Sequence, residues 1–175
     1  MPPILGVIDR TARIYPGLDK IDTSDKLRDL IHANQGGGLF GKIVDGMVSL
    51  GAFRVESGDA THLKCSGHAP MTYENFLSEF VGDNAYVLQH VLVNHKDISP
   101  YASALATVSM INLVTTDGVF CPQAIIKIPQ VSNIAGAFWR SGNLPSEVNV
   151  ETGMICSIAE RAGQEVRFHD EHPAR

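Results

Sequence analysis

Between Leu39 and Val55 the chain reads LFGKIVDGMVSLGAFRV: two apolar runs flank a loop carrying Gly46 and Gly51, with Lys42 on the first run. Short apolar runs interrupted by glycine suit a strand, a flexible loop and a second strand better than a helix. A lysine entering a glycine loop is also a device for covering a polyphosphate, because backbone amides and an ammonium converge on one anion. The same residues make a plain hairpin, in which the glycines serve turn geometry and the lysine solvates an edge. On this window alone both readings stand.

Around it the chain alternates between strand and helix signals, with no internal repeat and no low-complexity linker. Ile4 to Ile8 is an apolar run that reads as a first strand. Thr23 or Ser24 can cap a helix whose Leu27, Leu30 and Ile31 share one face, with Asp25, Lys26, Arg28 and Asp29 outside. Thr72 can cap a second, in which Tyr73, Phe76, Leu77 and Phe80 form an aromatic stripe suited to core packing. Strands are expected at Ala85–Leu92, Ser109–Thr115 and Val119–Ile128, the last two joined by a hairpin turn at Asp117-Gly118. Further strands are expected at Glu147–Val150 and Met154–Ala159, joined through Glu151, Thr152 and Gly153, and at Val166–Phe168. The pattern predicts an α+β fold built on a largely antiparallel sheet with a few flanking helices.

Composition narrows the partners. A chain of 175 residues, 44% hydrophobic, suits one ordinary domain or two small lobes sharing a core. Fourteen basic against nineteen acidic side chains give a formal charge of −5, with no basic stripe interleaved with aromatics. Nucleic acid is therefore not an expected partner. No apolar run approaches the roughly 20 residues of a bilayer span, and the N-terminus lacks a signal-peptide pattern. The expectation is a cytoplasmic protein with no membrane partner. Cys65, Cys121 and Cys156 are odd in number and widely spaced, and are expected to be buried free thiols.

Several motif matches dissolve on inspection. Gly36, Gly41 and Lys42 match a P-loop, yet Ile43 stands where Ser or Thr must hold magnesium, and the segment leaves a helix and enters a strand. His169 and His172 could share a metal on a helix, but Pro173 favours a solvated tail. Cys65 with His68 lacks a second half-site at zinc-like spacing, so no metal site is assigned. No GxSxG elbow occurs and Cys121 has no local signature of a nucleophile; no catalytic residue is assigned.

The order of the pieces resembles the ATP-grasp superfamily, and within it the sugar-transfer associated, alpha-L-glutamate-ligase-related branch. The resemblance rests on 39–55, on YVLQHVLVNHKDIS at 86–99, on TVSMINLVTTDG at 107–118, and on VSNIAGAF and EVNVETG further on. It implies a nucleotide-covering lobe over about residues 1–92 and part of a large lobe over 93–175. Lys42 takes the position of the lysine that contacts ATP phosphates, and Gly46, Ser49 and Gly51 fall in its glycine loop. Gln89, His90, Val91 and Leu92 fall at the hinge whose backbone pairs with adenine, and His95 matches a family histidine. The resemblance makes Asn112, Lys127 and Asn133 further candidates for binding the nucleotide. ATP is the implied cofactor, and the implied reaction is ATP-dependent carboxylate–amine ligation.

The departures fall on charged groups. Val48 and Ser49 replace loop glycines, His90 replaces the hinge acid, and Ser109, Met110, Ile111 and Asn112 replace an Asn-Thr-x-Arg run. Lys127 supplies charge in place of that arginine, without its fork geometry. Ser132-Asn133 replaces an Asp-Asn pair, and Asn149 an acid. The family's magnesium-binding carboxylate and asparagine are expected beyond HDEHPAR, so Mg2+ is expected only with ligands from outside this chain. The alternative expectation is a non-catalytic scaffold that binds a nucleotide, a protein partner or a second copy of itself, with dimerisation through exposed sheet.

Overall fold

The computed structural model describes residues 2–46, 50–131, 133–136 and 142–173. The chain divides into two compact units, residues 1–92 and 93–175, and each carries one sheet. The architecture is mostly β and largely antiparallel with few helices, an α+β class. Two separate sheets form in place of the single one expected, because the strands of each unit pair only among themselves.

The first unit contains β1 (Ile4–Ile8), β2 (Lys20–Ile21), α1 (Ser24–Ala33), β3 (Leu39–Ile43), β4 (Phe53–Gly58), β5 (His62–Cys65), β6 (Met71–Thr72), α2 (Tyr73–Asn75) and β7 (Tyr86–His90). Its sheet runs β2-β1-β7-β3-β4-β5-β6, antiparallel throughout except for the β1–β2 pair. Thr23 caps α1, its hydroxyl accepting from the Lys26 amide at 3.3 Å, and such a cap is worth about 1 kcal/mol. Leu27 and Ile31 of α1 are buried, as the three-and-four spacing predicts. Thr72 caps α2, which runs on into one π-helical segment, Phe76–Val81. That segment sets Phe76 and Phe80 stacked at 5.0 Å, with the edge of Phe53 5.1 Å from Phe76. The helices cover the sheet face bearing Ile8, Leu39, Phe53, Val55, Leu63, Cys65, Tyr86 and Leu88.

The second unit begins with a 3₁₀ turn at Ser99–Tyr101 and continues as β8 (Thr107–Thr115), β9 (Gly118–Pro129), β10 (Asn143–Val148), β11 (Ile155–Ala162) and β12 (Glu165–His169). They form an antiparallel meander, β12-β11-β10-β9-β8. The β8–β9 hairpin closes with Thr115 opposite Gly118, so its two-residue turn is Thr116-Asp117, and Gly118 takes a φ of 142°. Its core is small: Ile126, Ile128, Leu144 and Ile158, with Ala102, Ala106 and Val148 packed against them.

Two expectations need correction. Of the three thiols only Cys65 is buried; Cys121 is half-exposed and Cys156 exposed, because β9 near its turn and the start of β11 lie outside the small core. The solvated tail expected around Pro173 is instead tied down at both histidines, each half-buried: His169 ends β12 and its Nε2 pairs with Glu160 at 3.0 Å, while His172 Nε2 contacts the Tyr101 carbonyl at 3.2 Å.

Candidate functional site

Side chains alternate across a strand, so the face of the first sheet turned away from the helices is read by taking every second residue. It carries Phe40 and Lys42 from β3, Arg54 from β4, and Val87 and Gln89 from β7. β7 lies between β1 and β3, which places Val87 opposite Lys42 and Gln89 opposite Phe40. On β3, Leu39 and Gly41 are buried and Lys42 is exposed. The Lys42 ammonium stands 5.8 Å over the Phe40 ring, and among the described residues no carboxylate pairs with it.

The loop after β3 begins with the Val44 amide donating to the Ala85 carbonyl at 2.8 Å. Both loop glycines have a local steric cause. A Cβ on Gly46 would meet Ile43 Cγ2 at 1.8 Å, and Gly51 takes a φ of 74° with its would-be Cβ 3.3 Å from the Tyr86 hydroxyl. The hairpin geometry therefore explains both glycines, whatever the loop binds. Ser49, with Met47 and Val48, lies outside the described residues.

At the other end of β7 the four residues expected at a hinge separate into two kinds. Gln89 is built into the sheet between Ile4 and Phe40, is 4% exposed, and its Nε2 donates to the Pro2 carbonyl at 2.8 Å. His90 is exposed opposite Leu39, and the Val91 amide donates to the Gly38 carbonyl at 3.3 Å. Beyond that bond the Val91 carbonyl and Leu92 amide have no backbone partner among the described residues, leaving one acceptor and one donor in sequence.

The remaining expected residues belong to the second unit. Asn112 lies exposed on β8, where the register with β9 shifts between Ile111 and Leu113. Lys127 is half-buried on β9, between Thr107 of β8 and Pro145 of β10. Asn133 Nδ2 donates to Asn143 Oδ1 at 2.9 Å and its carbonyl accepts from the Ser103 hydroxyl at 2.8 Å. Asn149 organises a turn, its Oδ1 accepting from the amides of Glu151 and Thr152. Ser132 lies outside the described residues. His95 is exposed beside Asp97 at 3.4 Å.

A second polar centre in the first unit is assembled from segments far apart in the sequence. Asp9, 1% exposed, directly follows β1 and lines a cleft of about 150 Å³ with Thr11, Arg13, Ile43, Asp45, Asp83 and Asn84. The Tyr15 hydroxyl donates to Asp9 Oδ2 at 2.6 Å and the Thr11 amide to Oδ1 at 2.7 Å. Burial pushes this carboxyl up, but the hydrogen bonds from Tyr15 and Thr11 and the charge of Lys20 outweigh it and hold it below the usual carboxylate range. The Lys20 ammonium donates to the carbonyls of Thr11 and Arg13, pinning the same loop. Three carboxylates make the cleft a poor phosphate site, since like charges repel. Ile43, not Lys42, faces it. The local hint was an Asp and a Thr two residues apart after an apolar run, an Asx-turn pattern; its partners come from distant segments.

The fold and the Lys42 face thus define an α+β protein with a cationic, partly apolar sheet surface beside a glycine loop. No protein-family model matches the chain, and no curated protein or solved structure matches it.

Proposed function

We propose that this is an ATP-grasp-like protein related to ATP-dependent carboxylate–amine ligases, whose first unit holds ATP. The phosphates lie against Lys42 and the 46–51 loop, and adenine pairs with the free Val91 carbonyl and Leu92 amide. The observation that carries this reading is Lys42 itself. It is an exposed ammonium without a carboxylate partner among the described residues, on a strand that leads into the loop and pairs with the strand leading to residues 91–92. In the ligase reaction a carboxylate oxygen attacks the γ-phosphorus and ADP leaves; an amine then attacks the acyl phosphate carbonyl and phosphate leaves. This chain's own contribution is to bind and orient the nucleotide. Neutralising the transferring phosphoryl group needs magnesium and further cations, and losing one such group typically costs about 10³-fold in rate.

Calorimetric titration of ATP, with and without Mg2+, tests the binding. Micromolar affinity that falls at least tenfold in Lys42→Ala and stays unchanged in Lys96→Ala supports it. No heat from folded protein, or equal affinity in Lys42→Ala, overturns it. ADP release measured against a panel of amino acids tests turnover separately.

A second reading, a non-catalytic scaffold that associates with its own copy, is favoured by the β8–β9 hairpin. Val108, Met110, Ile111, Leu113, Val114, Val119 and Phe120 are each more than half exposed. They leave apolar surface on both faces of the hairpin, and exposed apolar surface of this kind marks sites of association. Between Thr107 and Ile126 the only charged residue is Asp117, whereas the chain carries −5 overall. Two like-charged copies meet with least repulsion through this uncharged segment.

A further inference from the structure

Arg54 is the other cation on the face that carries Lys42, and its situation differs from that of the chain's other surface cations. It stands directly across the β3–β4 pair from Phe40. Lys42 is two residues along from Phe40, so Arg54 and Lys42 are diagonal cross-strand neighbours, about 7–8 Å apart. The Arg54 Nε is buried and has no hydrogen-bond partner among the described residues. Glu56, two residues along its own strand, is bonded to the Lys64 ammonium at 3.0 Å and the Ser66 hydroxyl at 2.9 Å, and the Arg54 charge helps hold its carboxyl below the usual range without pairing with it. Arg54, like Lys20, Lys42 and Lys96, forms no ion pair among the described residues, whereas Arg13, Lys26, Arg28 and Lys64 do; the buried Nε sets it apart.

A buried donor on a charged group without an acceptor is costly and rare in folded proteins. A guanidinium presents its donors as a planar fork, and that fork matches two oxygens of a phosphate. Held half-buried against the sheet, Arg54 has lost part of the rotamer freedom that a free arginine would lose on binding. We infer that Arg54 is a second anion-contacting residue of the Lys42 face, its guanidinium taking phosphate oxygens of the same polyphosphate chain whose other end Lys42 holds. This rests on the reading of that face as the nucleotide site and adds the residue that selects for a polyphosphate over a single phosphate. Two cations a diagonal apart can engage two phosphoryl groups of one ligand at once, so a polyphosphate gains more from the pair than inorganic phosphate does.

The test is calorimetric titration of the full chain with ATP, inorganic tripolyphosphate, inorganic phosphate and adenosine, using the wild type, Arg54→Gln, Arg54→Lys and Lys42→Ala. Thermal melts of each establish that it is folded. Arg54→Gln is expected to weaken ATP and tripolyphosphate about 10- to 100-fold, the range of a lost charge-assisted contact, and to leave adenosine unchanged. Arg54→Lys should recover part of the loss, having charge but no fork. ATP affinity unchanged in Arg54→Gln while Lys42→Ala loses it overturns the role of Arg54 and leaves the nucleotide site standing. Loss of adenosine and ATP affinity together in Arg54→Gln means a structural role and also overturns it. A folded wild type that binds neither ATP nor tripolyphosphate overturns both.

Discussion

The ring of Phe53 occupies the space where Gly41 has no side chain: a Cβ at Gly41 would lie 2.2 Å from Phe53 Cζ. The two residues face each other across the β3–β4 pair. Phe53 is 2% exposed and lies in ring contact with Phe76, Phe80 and Tyr86. The glycine beside Lys42 thus admits an aromatic anchor that clamps the lysine-bearing strand onto the helices, a packing role rather than a ligand role.

Gly41→Ala should therefore destabilise the fold by about 1–3 kcal/mol, as overpacking does. Phe53→Leu alone should also destabilise it, through lost burial. Combined, the two substitutions should cost less than their sum, because the smaller side chain makes room for the methyl group. Denaturant unfolding of the four proteins checks this; strict additivity would count against the contact.

Asp9 makes stability depend on acid. Its carboxyl is held below the usual range in the fold, so the stabilisation is complete above the unfolded value of about 3.9 and disappears as pH falls through the lower folded value. Asp9→Asn should be less stable at neutral pH and should lose part of the acid dependence. Thermal melts from pH 7 to pH 2.5 read it, and parallel wild-type and Asp9→Asn curves would refute the assignment.

The thiols should react in an order set by exposure. Burial pushes the Cys65 thiol up to about 12, against the inner face of the sheet. Only thiolate is nucleophilic, so Cys65 should stay unlabelled by a disulfide reagent at pH 8 until the protein unfolds. Cys156 should label first and Cys121 more slowly. Mass spectrometry of timed samples assigns each site, and early labelling of Cys65 would contradict its burial.

If copies associate through the β8–β9 hairpin, light scattering after size exclusion should give a dimer mass. Leu113→Lys and Val114→Lys place a charge on opposite faces of β8, and both sites are exposed, 55% and 74%. Each should leave the melting temperature within about the range of surface substitutions, while the pair returns the protein to monomer. A wild type that stays monomeric at high concentration would eliminate this association.

What was legible beforehand had local causes. Thr23 and Thr72 carry hydroxyls suited to accept the amide three residues on, and each does so at the start of its helix. The apolar run 4–8 and Gly153, at a φ of 75°, carry their conformations in a few adjacent residues, whereas the hairpin turn falls at Thr116-Asp117, one residue before the expected Asp117-Gly118. Lys42 at the mouth of the loop was visible for the same reason. The strands Lys20–Ile21, His62–Cys65 and Met71–Thr72 were not, since two to four residues hold too little periodicity to read.

Pairing between distant segments belongs to the tertiary structure. Residues 86–90 insert between β1 and β3, which puts Val87 opposite Lys42 although 45 positions separate them. The same long-range packing brings Arg54 across from Phe40, fits Phe53 over Gly41, and gathers Asp9, Asp45 and Asp83 around one cleft. Turn and cap preferences come from neighbouring backbone atoms, so they are written in the local sequence. Which strands become neighbours is decided by burying a common apolar face, and that depends on the whole of each unit at once.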